Sequence, residues 1–448
     1  MKKIFLLPLF LICVPTMSSA ITLEQALVSG YNHDEVLKIN KTDFLQEIEE
    51  FPRALAEFMP RITAGIDFSH TRRKSKNSSL EHKGSHTTQS VTLNQPIFNG
   101  GASLAKLKAA RFAFRASMGK YYAAEQDQIL KEIDAYLSCA ATREKYAISK
   151  MSVKSNKTQL EAMKEKFKLG ESTETEVAAS EEGLATAESN QSIAYANYEA
   201  SRAEFFRIFG VEAAGIKMPA LSEGLPKSLE EVLKEALAKN YSIDQARYSS
   251  QASKSSEYAS KGVLLPSVSL SVRGERIKFK KQDPARNRSN NNSVTSTISV
   301  KVPILEKGGF EYSEVRRAKH QTRKTIIALN NTIKTIKSQG RASWSFLSAN
   351  KLRIKSAAKA VKAAEIAYDG VQQEEMLGSK TIIDVLRTEG RLNDARSNLV
   401  EAKKALVLAG YRIQVLMGKL TAKSMNLKVE HFDPEAEFKR IKFRIIGF

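Results

Sequence analysis

The chain carries one pattern twice, about 206–208 residues apart, and that repeat restricts its fold more than any other feature. Thr22-Leu23-Glu24-Gln25-Ala26-Leu27 returns as Ser228-Leu229-Glu230-Glu231-Val232-Leu233, and Met59-Pro60-Arg61-Ile62 returns as Leu265-Pro266-Ser267-Val268. Leu169-Gly170-x-x-Thr173-x-x-Glu176-Val177 returns as Leu377-Gly378-x-x-Thr381-x-x-Asp384-Val385, and Gly210 matches Gly418. Each copy therefore has the same order of helices, strands and turns. That is the mark of a pseudo-symmetric building block of a larger assembly, more than of a single enzyme cleft.

Residues 1–20 read as an export signal: Lys2 and Lys3, an apolar stretch from Ile4 to Val14, and small residues Ser18-Ser19-Ala20 before Ile21. Pro8 and Pro15 interrupt the stretch, and Ile12 stands where lipid attachment at Cys13 needs a small residue. After the signal one cysteine is left, Cys139, so no internal disulfide is expected. No run of 18 apolar residues follows Ala20, so a membrane crossing requires a closed β-barrel. The formal charge of +21 would suit nucleic acid. Export argues against that partner, and dispersed Lys and Arg on helices form solvated faces or attract anionic lipid heads and cargo.

The apolar spacing predicts a helix over Thr22–Phe58, stopped by Pro60. Ile62, Ala64, Ile66 and Phe68 then alternate with polar residues as a half-buried strand (61–69). A basic loop through Arg72, Arg73, Lys74, Lys76 and Lys83 leads to a second strand (90–97) ending at Gly100-Gly101. The second copy predicts strands at 266–274 and 296–303 around a loop through Lys278, Lys280, Lys281, Arg286 and Arg288. Four strands cannot close a membrane barrel, which needs about eight, so closure requires several chains or the strands form a soluble sheet. Proline-free runs over Ser103–Phe167 and Phe310–Glu375 predict helices of roughly 100 Å at ~1.5 Å per residue. Within the second, a 3-4 seam runs from Ile326 to Val371, rich in small residues. Gly170 and Gly378 sit where left-handed helix caps belong, with Ser172 or Thr173 and Thr381 able to cap the returning helices. The organisation is a signal (1–20), a first repeat (21–210), a linker (211–227), a second repeat (228–418) and a patternless tail (419–448).

No nucleophile elbow, phosphate loop or dinucleotide fingerprint appears, and no metal-ligand spacing. His70, His82 and His86 lie near the first loop and read as solvated. Neither a catalytic constellation nor a cofactor is expected, and the chain is read as no enzyme. The two turns differ in charge. Glu171, Glu174, Glu176, Glu181 and Glu182 occur with no basic residue between them, whereas the second turn mixes Lys380, Asp384, Arg387, Glu389 and Arg391. The first helical turn explains part of that acidity through the dipole. Glu181 and Glu182 lie too deep for it, which leaves an acidic ring or docking surface formed by several chains.

Around these turns the sequence resembles the TolC family of outer-membrane efflux channels. The resemblance rests on Leu377-Gly378-Ser379-Lys380-Thr381-Ile382-Ile383-Asp384-Val385-Leu386 with Arg391-Leu392-x-x-Ala395. It is supported by Asn94-Gln95-Pro96-Ile97-Phe98 and Val302-Pro303-Ile304-Leu305, and it spans about residues 22–418. It implies a mainly α protein with a β-barrel portion: a homotrimer whose twelve strands form one barrel in outer-membrane lipid, above an α-helical periplasmic tunnel. It further implies a passive exit duct of a tripartite efflux pump or type I secretion system. Energy would come from an inner-membrane transporter of the RND, ABC or MFS type through a periplasmic adaptor. Leu169, Gly170, Thr173, Leu377, Gly378 and Thr381 would form the adaptor-docking turns. By position, Asp384 matches a gate aspartate and Lys380 a basic link residue. Arg387 stands where a second gate aspartate is usual, and Glu375 replaces a latching tyrosine. The gate is therefore expected to draw acid partly from the first turn, through Glu174 and Glu176, with Arg387 paired to it. A periplasmic coiled-coil adaptor would also show long helices, but not four alternating strands in two copies. A trimeric adhesin would place its strands together at the C-terminus.

Overall fold

A computed structural model describes residues 20–74, 81–222, 224–280 and 289–444. The signal expected at 1–20 lies outside these save for Ala20, as do loop residues Lys76, Lys281, Arg286 and Arg288. The single helix expected over Thr22–Phe58 is three: α1 (Leu23–His33), α2 (Glu35–Ile48) and α3 (Glu50–Ala56). Asp34 makes the first break. Its backbone is extended, and its carboxylate accepts from Val36 N at 2.6 Å and Leu37 N at 3.4 Å, capping α2.

Strands β1 (Arg61–Lys74) and β2 (Glu81–Asn99) precede α4 (Ala102–Lys168) and α5 (Glu174–Phe209). The second copy runs α6 (Leu229–Lys239), α7 (Tyr241–Gly262), β3 (Ser267–Phe279), β4 (Asn291–Lys301), α8 (Phe310–Met376) and α9 (Ile382–Leu416), and α10 (Pro434–Ile441) closes the chain. Helices α4 and α8 are each 67 residues long. Along α8 the seam is packed as its spacing requires, with Ile336, Gly340 and Leu347 buried; Ile326, at its start, is exposed. The strands outrun the alternation that marks them in the sequence. Arg72, Lys74 and Lys278, expected in loops, continue the ladders.

The chain forms two compact units. One comprises 38–124, 237–337 and the segment from Phe432 onward. It holds a four-stranded antiparallel sheet in the order β1-β2-β3-β4. The repeat is exact in register: β1 pairs β2 with Arg61 opposite Asn94, and β3 pairs β4 with Ser267 opposite Lys301. In the helices of this unit, Phe44, Ile48, Phe114 and Tyr121 form a core with Phe432 and Phe438 of the tail. Phe114 stacks on Phe438 at 3.8 Å between ring centroids, so the patternless tail is a packed element. At the strand-to-helix corner, Gly100 has φ +62°, and a Cβ there would lie 2.0 Å from the Gly262 carbonyl oxygen. Only glycine satisfies both constraints.

The other unit comprises the chain up to Leu37, 125–236 and 338–431. Its main core joins α1, α4, α5 and α9 through Leu27, Ile129, Ile133, Leu137, Phe205, Phe209 and Tyr411. A second cluster sets Val232 of α6 against Leu347 of α8 and Ile413 of α9. A third, of Met163, Ile382 and Val385, lies beneath the helix turns.

Candidate functional site

Two surfaces carry the functional reading, one in each unit. The first is the sheet. Residues opposite one another in an antiparallel pair project to the same side. One side thus gathers Ile62, Ala64, Ile66 and Phe68 of β1, Val91 and Leu93 of β2, Val268, Leu270 and Val272 of β3, and Val294, Ile298 and Val300 of β4. The other side carries Thr63, Asp67, Ser90, Thr92, Ser269, Ser271, Thr295, Thr297 and Ser299. Phe68 is 82 % exposed and Ile298 70 %, the reverse of a sheet folded in water. No helix among the described residues is long and apolar enough to cross a membrane. Strands of 11 to 19 residues reach or exceed the 9–11 that a tilted bilayer strand needs. His70 and His86 belong to this unit, His70 Nδ1 lying 2.8 Å from Ser85 Oγ and His86 packing on Phe279. The side chain of His82 lies outside the described residues.

The second surface is formed by the turns α4/α5 and α8/α9, built alike. Gly170 and Gly378 have φ +77° and +78° with open space around the missing Cβ, so conformation alone demands glycine. Glu171 N donates to Lys166 O, and Ser379 N to Glu374 O, both at 2.9 Å, closing each long helix with the same motif. Thr173 N donates to Glu176 Oε2 at 3.0 Å, and Thr381 N and Oγ1 donate to Asp384 Oδ2 at 3.4 and 3.1 Å. These cap bonds from the Thr173 and Thr381 backbone hold Glu176 and Asp384 below the usual carboxylate range. Leu169 and Leu377 stand bare at the tips, 73 % and 84 % exposed.

The structure brings the expected gate residues together only in part. Lys380, Asp384 and Arg387 share one turn, and Glu174 and Glu176 the other. Within the chain Arg387 does not pair with Glu174 or Glu176. Its carboxylate is Asp384, at 4.0 Å on its own helix, because the cap fixes Asp384 one turn below it while Glu176 is engaged by Ser172 and Thr173. Glu181, too deep for the dipole, is matched by Lys164 of α4 at 2.7 Å. Sequence reasoning missed the pair Lys166–Glu375, 2.7 Å between Nζ and Oε1, which ties α4 to α8 beside the turns. The available signal was Glu374-Glu375 at a helix C-terminus, where acids oppose the dipole and need a cation.

The comparisons with known proteins fall where this geometry points. The family model described as outer membrane efflux protein matches residues 53–211 and 232–419. The chain belongs to that family. The outer membrane efflux protein BepC of Brucella suis biovar 1 is 24% identical over 426 residues, covering 95% of this chain and 91% of its own. The outer membrane protein TolC of Vibrio cholerae serotype O1 is 25% identical over 454 residues, with 94% and 96% covered. Among solved structures, the Campylobacter jejuni CmeC outer membrane channel superimposes with a TM-score of 0.80 at 16% identity, covering 94% of this chain and 89% of that one. The fold is that of an outer-membrane channel, with a strand portion and a helical portion, and the chain is an outer-membrane efflux protein.

Proposed function

We propose that three copies close a twelve-stranded barrel and that the assembly is the passive exit duct of a tripartite pump or type I secretion system. The observation that carries this is the bare apolar face of a sheet whose outer strands, β1 and β4, each have one ladder partner among the described residues. Such a sheet is stable in hydrocarbon only if the edges meet. The repeat supplies the register of that meeting. In the chain, β2 pairs β3 with Thr92 opposite Arg273 and Ser90 opposite Glu275. Carried over by the repeat, β4 of one copy meets β1 of the next with Ser299 opposite Asp67 and Val300 opposite Ile66, which keeps polar with polar and apolar with apolar. Cysteines at Ser299 and Asp67 should give covalent trimers on oxidation, and Ser299 with Ser69 should not; Cys139 is buried and does not compete. Equal cross-linking of both pairs, or none, contradicts the arrangement.

On this reading the turns at Gly170 and Gly378 form the periplasmic end. Asp384, Lys380, Arg387, Glu174 and Glu176 line its constriction. Leu169, Gly170, Thr173, Leu377, Gly378 and Thr381 receive a periplasmic adaptor, which couples the duct to an inner-membrane transporter. The bare Leu169 and Leu377 support the docking role. Arg387→Asp should raise cation preference in single-channel recordings, because it exchanges a cation for a carboxylate at each copy's constriction. Unchanged selectivity and unchanged closed-state current would remove Arg387 from the gate.

A further inference from the structure

One buried acid in the helical unit is used neither by the caps nor by the charges of the turns. Glu389 lies two turns into α9 and is 5 % exposed. Asn156 of α4 donates from Nδ2 to its Oε1 at 3.3 Å, and Gln159 donates from Nε2 to its Oε2 at 3.0 Å. The same Gln159 nitrogen donates to the Tyr368 hydroxyl of α8 at 3.2 Å, and Ser155 Oγ lies 3.2 Å from that hydroxyl. Gln159 therefore links three helices from both hairpins, bonding the α9 carboxylate and the α8 hydroxyl from α4.

The chemistry of the surroundings makes this a fastening. Toward the turn the contact is apolar, through Met163, Ile382 and Val385, and apolar seams tolerate sliding. A carboxylate holding two amides does not, since each bond has one geometry and a slipped helix leaves a buried charge without donors. The charged group facing it is Arg396 of its own helix, itself bonded to Glu365 at 2.9 Å. From α4 it meets the neutral Gln159, Ser155 and Ser152, and α8 lines the same cleft with Glu365, Tyr368 and Asp369. Burial pushes its pKa up, against the pull of Gln159, Ser155 and Ser152.

We propose that Glu389 fastens the α4/α5 hairpin to the α8/α9 hairpin within each protomer and so sets how tightly the turns close. This rests on the reading of the turns as the periplasmic end of the duct, and names a residue that holds that end shut. The test is closed-state current of the full-length protein in planar bilayers. Glu389→Ala should raise it several-fold. Gln159→Glu, which sets a second carboxylate against the first, should give a leak that grows as pH rises. The double variant Gln159→Glu/Glu389→Gln exchanges amide and carboxylate, restores the donor–acceptor match and should close the channel again. A double variant as leaky as Gln159→Glu overturns the proposal. So do silent Glu389 variants beside an altered Arg387→Asp channel, which leaves the reading of the turns standing. If Arg387→Asp is silent as well, that reading falls too.

Discussion

Raising the pH from about 5 to 9 should destabilise this protein, and Glu132→Gln should remove much of that loss. Glu132 of α4 is wholly buried, and no donor reaches either of its oxygens. Its neighbour is Asp34, which already accepts from Val36 N, Leu37 N and Gln128 Nε2. Burial, then the charge of Asp34, push the Glu132 carboxyl up to about 9, so at neutral pH it is a neutral acid that can donate to Asp34. A few residues away, burial pushes Glu125 up to about 7, despite bonds from Tyr31 Oη at 3.1 Å and Ala422 N at 3.4 Å.

The sign follows from proton linkage. Both groups have folded pKa values above their unfolded value of 4.5, so the folded state binds more protons. The stabilisation is complete below the unfolded value and is lost as pH rises through the folded ones. Each group contributes a slope of about 1.4 kcal/mol per pH unit. Two groups act up to about pH 7, and Glu132 alone acts from there to about pH 9. For Glu132 the sum over the interval is on the order of 5 kcal/mol per copy. Glutamine keeps the shape and donates to Asp34 at every pH. In denaturant or thermal unfolding across this range, the wild type should go on losing stability above neutrality and Glu132→Gln should not. Parallel pH profiles for the two proteins would remove Glu132 as the cause.

Glu132 and Glu389 also mark what the sequence conceals. The long helices are legible because packing against a neighbour imposes a local 3-4 period, and the strands because one face differs from the other. The turns are legible because Gly170 and Gly378 need a left-handed backbone and Thr173 and Thr381 need capping partners three residues on. Buried acids break that logic. Glu125, Ile129, Glu132 and Tyr136 share one seam of α4, and Val385, Glu389 and Leu392 one seam of α9. A period that counts apolar residues reads each acid as a gap, although an acid at a seam position is itself the signal of a distant partner. Those partners are Asp34, almost a hundred residues away, and Gln159, 230 residues away. No spacing rule reaches that far. The same holds for Lys166 and Glu375, and for the break at Asp34, where a side chain that caps one helix looks in sequence like the polar face of a longer one.

The second large effect concerns the sheet, where neighbouring positions should respond in opposite ways. Ile298 and Thr297 are adjacent on β4 and project to opposite sides, opposite Leu270 and Ser271 of β3. Ile298→Arg places a guanidinium on the apolar band. In hydrocarbon that costs about 2–4 kcal/mol per copy near the midplane, and the proposed barrel of three copies would bear it three times. Such a variant should fail to form heat-resistant trimers in outer-membrane fractions. Thr297→Arg adds the same charge on the polar side, which in the proposed barrel would line the lumen and be solvated by water, so trimers should form in normal yield and anion preference should rise. Composition, charge and helix content are the same in the two variants, so only the sidedness of the strand can separate them. Normal assembly of Ile298→Arg, or equal failure of Thr297→Arg, would mean that the apolar side of this sheet does not face lipid.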